Sequence, residues 1–204
     1  SNNAYVLNPL SSSVTFNSGI VSSDSLGGHL IRLTNSTDEY VFPIGNLLLS
    51  PINRTVTVTP NSNSASSFGA RLSSLNIDND NTGASAMGYS GPFPSSQAAQ
   101  GIMNPNLVYY HNISRISGLT NADYRIYYNG SDGSFKKVAY WNGSIHDDAG
   151  FSYSSTFRFG LGEEMTKLNM SDFSYDVFTL VDYDIKIKVP GGISINDDGI
   201  NDEL

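Results

Sequence analysis

Two short acidic runs have the residue types and spacing to hold a cation. Ser194-Ile195-Asn196-Asp197-Asp198-Gly199-Ile200-Asn201-Asp202 sets oxygen-bearing side chains at alternate positions ahead of a glycine, with a further carboxylate after it. Calcium takes about six to eight oxygen ligands, and this spacing turns alternate side chains inward while the glycine permits the bend. The expected ligands are Asn196, Asp198 and Asp202, with calcium as the expected cofactor; an acidic turn or linker is the alternative. Asp78-Asn79-Asp80-Asn81-Thr82-Gly83 repeats the pattern through Asp78, Asp80 and Thr82. It is the weaker candidate, because Tyr89 stands where a bidentate glutamate would close the shell.

Catalytic patterns are sparse. A Gly-x-Ser-x-Gly elbow is missing, and Gly88-Tyr89-Ser90-Gly91 is one residue too short for it. The histidines, at 29, 111 and 146, lack the spacing of a zinc-binding pair. Glu163 and Glu164 are adjacent, so on a strand they point to opposite faces and cannot readily flank one glycosidic bond. The expectation is a protein that is not an enzyme. The aromatic runs Tyr109-Tyr110, Tyr127-Tyr128 and Tyr140-Trp141 raise a second possibility, a carbohydrate-binding module that uses exposed rings. Within each pair one ring packs inside and one faces out. Tyr89, Phe93 and Trp141 are the ligand-binding candidates.

The elements that must position these residues alternate with period 2. Thr55–Thr59 and Asp184–Val189 alternate strictly, as half-buried strands do. Further strands are expected at Ala4–Leu7, Val14–Phe16, His29–Leu33, Glu39–Phe42, Phe68–Leu72, Leu107–His111, Tyr124–Tyr128, Lys136–Trp141, Ser152–Phe159 and Tyr175–Leu180. Asn129-Gly130, Asp132-Gly133 and Asn142-Gly143 supply turn residues between them. The pattern predicts an all-β, antiparallel β-sandwich, Ig-like or jelly-roll-like, with long loops and little helix beyond a short one over Ser95–Met103. Residues 1–190 would form the sandwich module and 191–204 a junction. The stretch 76–106 has three readings: a surface excursion, a ligand-facing loop with a stiff aromatic tip, or a boundary between half-domains.

Composition narrows the partners. The 204 residues carry 11 Lys+Arg against 19 Asp+Glu, a net charge of −8, which disfavours nucleic acid because no basic patch can release counterions. No apolar run approaches the roughly 20 residues that span a bilayer, so no membrane insertion is expected. The absence of cysteine removes disulfides and thiolate sites. The chain opens on Ser1-Asn2-Asn3 without a signal region and stops at Asn201-Asp202-Glu203-Leu204. It is therefore expected to be a mature product or an excised piece.

The C-terminal run Val189-Pro190-Gly191-Gly192-Ile193-Ser194-Ile195-Asn196-Asp197-Asp198-Gly199-Ile200-Asn201-Asp202 resembles the opening of the gliding-motility-associated C-terminal domain. Ile195 and Asp197 replace that family's Pro and Gly; the Asp-Gly-Ile-Asn-Asp core is intact. Asn3-Ala4-Tyr5-Val6 with Asn8-Pro9-Leu10, Glu39–Gly45 with Arg54–Val58, and Val138–Ser144 are similar to blocks of the region that often precedes such domains. The resemblance implies a non-enzymatic, extracellular structural or adhesive module of a large type IX secretion substrate. Such a protein is exported across the outer membrane and associated with cell-surface attachment or gliding motility. Its implied partners are the type IX and cell-surface machinery, and surface glycans. Asp24-Ser25-Leu26 resembles the bacterial O-glycosylation acceptor, which would make Ser25 a glycosylation site.

Overall fold

A computed structural model of the chain describes residues 3–17, 19–22, 28–47, 52–81 and 91–183. Most of the alternating segments become strands; Asp184–Val189 and the junction expected over 191–204 lie outside the described residues. In order the strands are β1 (Ala4–Val6), β2 (Val21–Ser22), β3 (Leu30–Thr34), β4 (Tyr40–Phe42), β5 (Ile44–Asn46), β6 (Ile52–Asn53), β7 (Val56–Pro60) and β8 (Ser66–Ser73). They continue with β9 (Ile102–Met103), β10 (Tyr110–Ser117), β11 (Ala122–Tyr128), β12 (Lys137–Trp141), β13 (His146–Asp148), β14 (Ser152–Ser154), β15 (Glu163–Met170) and β16 (Val177–Tyr183). Among the described residues helix is confined to two 3-10 turns, Ser11–Ser13 and Gly130–Asp132. The fold is all-β, as the periodicity predicts.

A large sheet runs β1-β3-β8-β10-β16-β12-β13, with β9 pairing the end of β16. A five-stranded sheet runs β14-β15-β11-β7-β4, and β2-β5-β6 form a small third sheet. Pairing is antiparallel except for β1 with β3 and β2 with β5, which are parallel. The two larger sheets share one core. Leu30, Phe68, Ala70, Leu72, Ile113, Phe178 and Leu180 meet Tyr40, Phe42, Val56, Val58, Tyr124, Ile126, Tyr128 and Met165. Each large apolar side chain so buried contributes roughly 1.5–3 kcal/mol.

The large sheet is buried on its outer face too. Tyr110, Trp141 and Val177 project outward from β10, β12 and β16 and cluster with Ile77 and Phe93 from the 76–106 excursion. Ala139 and Val181 do the same with Ile102, flanked by Ala98 and Ala99. The described part of the excursion is thus a third layer over the sheet. No helix forms over Ser95–Met103; Ala98 bridges to His146 and Ile102–Met103 pairs with Tyr183 and Asp182. An apolar sheet face that needs cover outweighs a marginal local helix. Val14–Phe16 is not a strand, and the strand expected over Ser152–Phe159 ends at Ser154, before a tight turn in which Arg158 and Leu161 exchange backbone hydrogen bonds.

The N-terminal segment is held by a buried cation. Arg32 donates from Nη1 to the Val41 carbonyl (2.8 Å) and from Nη2 to the Ser11 carbonyl (3.0 Å) and the Ser13 hydroxyl (3.1 Å). Its guanidinium lies over the Tyr40 ring, 5.1 Å from the centroid. Burial lowers its pKa to about 10.

Candidate functional site

Strand β12 alternates across the large sheet, so Trp141 faces the third layer while Tyr140 faces the inter-sheet side. There Tyr140 stacks on Tyr175, with ring centroids 4.5 Å apart and planes tilted by 32°. The pair walls a cleft of about 350 Å³. Its floor is apolar, made by Phe151, Met170 and Phe178. Asp148, Lys167, Asn169, Ser171 and Asp172 supply its polar lining. Its volume falls at the small end of ordinary ligand pockets, and its lining is about evenly apolar and polar in a half-open cleft.

Local sequence explains the geometry. Between β11 and β15 the register shifts, so that Tyr124 pairs with Lys167 but Ala122 pairs with Met170. The extra residue bends the strand, as bulges do beside binding sites. Asn169 takes a positive φ of 49° there. Its side-chain Oδ1 accepts from the side-chain amides of Asn61 (2.9 Å) and Asn121 (3.3 Å). The turn before β16 is closed by Asp172, whose Oδ1 accepts from Ser174 Oγ (2.6 Å) and Ser174 N (2.9 Å). Those bonds hold the Asp172 carboxyl below its usual pKa, hence ionised. Gly150, at φ +68°, leaves room for Lys167, whose Nζ lies 2.7 Å from where a Cβ would stand.

The electrostatics are uneven. Asp148 sits 3.5 Å from Lys137 Nζ, which offsets its charge. Asp147 stands opposite Tyr140 in the β12–β13 register. Burial first, then Asp147, Tyr175 and Asp172, push the Tyr140 hydroxyl upward in pKa. Lys167 forms no ion pair among the described residues.

A second polar cluster is internal. The Arg54 guanidinium pairs with the Asp132 carboxylate, through Nε at 2.6 Å and also through Nη2. The Tyr109 hydroxyl donates to the same carboxylate at 2.5 Å, and His111 packs edge-on to Tyr109 at 5.8 Å. All four are largely or fully buried, so the cluster braces the interior.

The sequence candidates fall as follows. Asn196, Asp198, Asp202, Thr82, Tyr89 and Ser25 lie outside the described residues. Asp78 accepts from Ser95 N (2.5 Å) and Ser95 Oγ (3.0 Å), which ties the start of the excursion to its interior. Asp80 is buried and accepts from the Tyr110 hydroxyl (2.5 Å) and Ser73 Oγ (3.0 Å). Among the described residues no three His, Asp or Glu side chains converge on one point. Phe93 and Trp141 are 1% and 5% exposed, so neither ring lies at the surface: both pack inside the third layer, 5.8 Å apart. Glu163 accepts from the Tyr153 hydroxyl (2.6 Å) and Glu164 from Thr166 Oγ1 (2.7 Å).

Sequence reasoning missed Tyr175, Lys167 and Asp172. The Asp-x-Ser turn signal just before Tyr175 was the available clue. The chain matches no family model, no curated protein and no solved structure. No helix among the described residues is long and apolar enough to cross a membrane.

Proposed function

We propose that this chain is a non-enzymatic, extracellular adhesive module of a large bacterial surface protein exported by the type IX system, and that it adheres by binding carbohydrate in the Tyr140–Tyr175 cleft. The observation that carries the binding reading is the stacked tyrosine pair above an apolar floor with a hydrogen-bonding rim. A pyranose ring has apolar C–H faces and polar hydroxyl edges. Aromatic walls take the first, and carboxylate, amide and ammonium groups take the second. The resemblance of the C-terminal run and the upstream blocks supports the surface setting. It also motivates calcium at Asn196, Asp198 and Asp202, where the ion would stiffen the joint to a following domain, and glycosylation at Ser25.

The test is a glycan array followed by titration calorimetry with the purified chain. Tyr140→Ala and Tyr175→Ala should each weaken binding at least ten-fold, while Trp141 fluorescence stays native because that ring lies on the opposite face of the sheet. Binding of no glycan, or binding indifferent to both substitutions, would remove the cleft from the function. Hydrolysis of the bound glycan, lost in Glu163→Ala or Glu164→Ala, would overturn the non-enzymatic reading.

A further inference from the structure

We infer that the cleft selects a cationic amino sugar, a hexosamine bearing a free ammonium, over neutral sugars and against uronic acids. This rests on the carbohydrate reading and adds the charge of the ligand to it. The charged groups around the cleft come from every element that forms it. Asp148 on β13, Lys167 on β15 and Asp172 on the turn before β16 line it; Asp147 on β13 stands opposite Tyr140 in the strand register, and Lys137 lies outside the lining on β12. Lys137 offsets Asp148 at 3.5 Å. That leaves Asp147 and Asp172 against Lys167, an excess of one negative charge in a protein that is itself at −8.

The placement of these groups matters as much as the count. Both Ser174 bonds fall on Asp172 Oδ1, which leaves Oδ2 for a ligand. Asp147 stands opposite Tyr140 in the strand register and Asp172 lines the cleft three residues before Tyr175, so a carboxylate flanks each ring of the tyrosine wall. The two rings add the negative faces of their π-systems to these charges. An ammonium beside this wall meets carboxylate and aromatic faces together, whereas a ligand carboxylate meets repulsion. Lys167, drawn in under Gly150, is left to donate to a hydroxyl.

The experiment titrates the intact chain with three probes: a glucosamine trimer, its fully N-acetylated counterpart and a glucuronate-containing oligosaccharide, at low and at 0.5 M salt (roughly a 4 Å screening length). The glucosamine trimer should bind about ten-fold tighter than the acetylated one at low salt, the scale of one ammonium–carboxylate contact, and the gap should shrink in high salt. Asp172→Asn should remove the preference by weakening the glucosamine trimer more than the acetylated one. Asp38→Asn, at the opposite edge of the five-stranded sheet, should change nothing and so exclude mere attraction to an acidic protein. Equal or tighter binding of the acetylated or uronate probe overturns the charge selection while the carbohydrate reading stands. Binding of none of the three, with none on the array, overturns both.

Discussion

His146 Nε2 lies 3.0 Å from the carbonyl oxygen of Phe93, across 53 residues of chain. With Nδ1 buried and unpartnered, the ring is neutral and Nε2–H donates. Backbone bonds from Ala99 N to the His146 carbonyl and from His146 N to the Gln97 carbonyl flank that contact, so the third layer is stitched to the sheet edge at β13.

Acid should loosen the protein at a pH where its carboxylates are still ionised. Burial lowers the His146 pKa, and burial with the Arg71 charge lowers His29 to about 4; burial lowers His111 to about 3. Below pH 6.5 the unfolded chain binds protons that the folded chain refuses, so stability falls as pH drops from 6.5 toward 4. His29 and His111 each contribute on the order of 3 kcal/mol to that loss, and His146 adds to it in the same direction. Urea unfolding at pH 7.5, 6 and 4.5 checks it, and His111→Phe should flatten the profile.

Phe93→Ala should detach the third layer from its anchor. The ring touches Tyr110 and Trp141 at 5.8 Å each, and removing it opens a cavity costing about 3–5 kcal/mol. Trp141 is the single tryptophan, so its emission should shift to the red. A native spectrum with unchanged melting temperature would contradict the packing described.

Asp132→Ala should be more damaging than Glu39→Gln. The first leaves Arg54 charged and unpaired in the interior, a loss of about 3–5 kcal/mol. The second breaks a pair with Arg158 that is partly solvent-exposed and contributes about 1 kcal/mol or less. Denaturant midpoints of the two variants give the comparison.

Gly45→Ala should strain the joint between β5 and β6. The added Cβ would stand 2.1 Å from the Ile52 carbonyl oxygen, so backbone has to move at a cost of about 1–3 kcal/mol. Thermal melts of the variant would show it, and an unchanged midpoint would mean that β5 and β6 approach less closely.

The calcium proposal predicts that the ion raises the melting temperature of a chain continued through the following domain, and that Asp198→Ala with Asp202→Ala abolishes the increment. Calorimetry on both proteins would decide it; no calcium response reduces the run to an acidic linker.

Period-2 alternation and turn chemistry determined the all-β class from sequence alone, because strand pleating and positive-φ turns are local. Val56–Pro60 and Lys137–Trp141 sit within a residue or so of where alternation predicts them, and Asn142-Gly143 closes the β12–β13 hairpin with Gly143 at φ +99°. Strand β15 escaped notice because Glu163, Lys167 and Asn169 interrupt its apolar pattern; pairing with β11, more than thirty residues earlier, makes it a strand. Only the tertiary structure turned the described part of the 76–106 excursion into a covering layer, since alternation cannot say that both faces of one sheet are buried. The cleft was equally out of reach. Tyr140 and Tyr175 lie on separate elements, and what stacks them is the register of β12 against β16 together with the bulge in β15, both set by contacts distant in the chain.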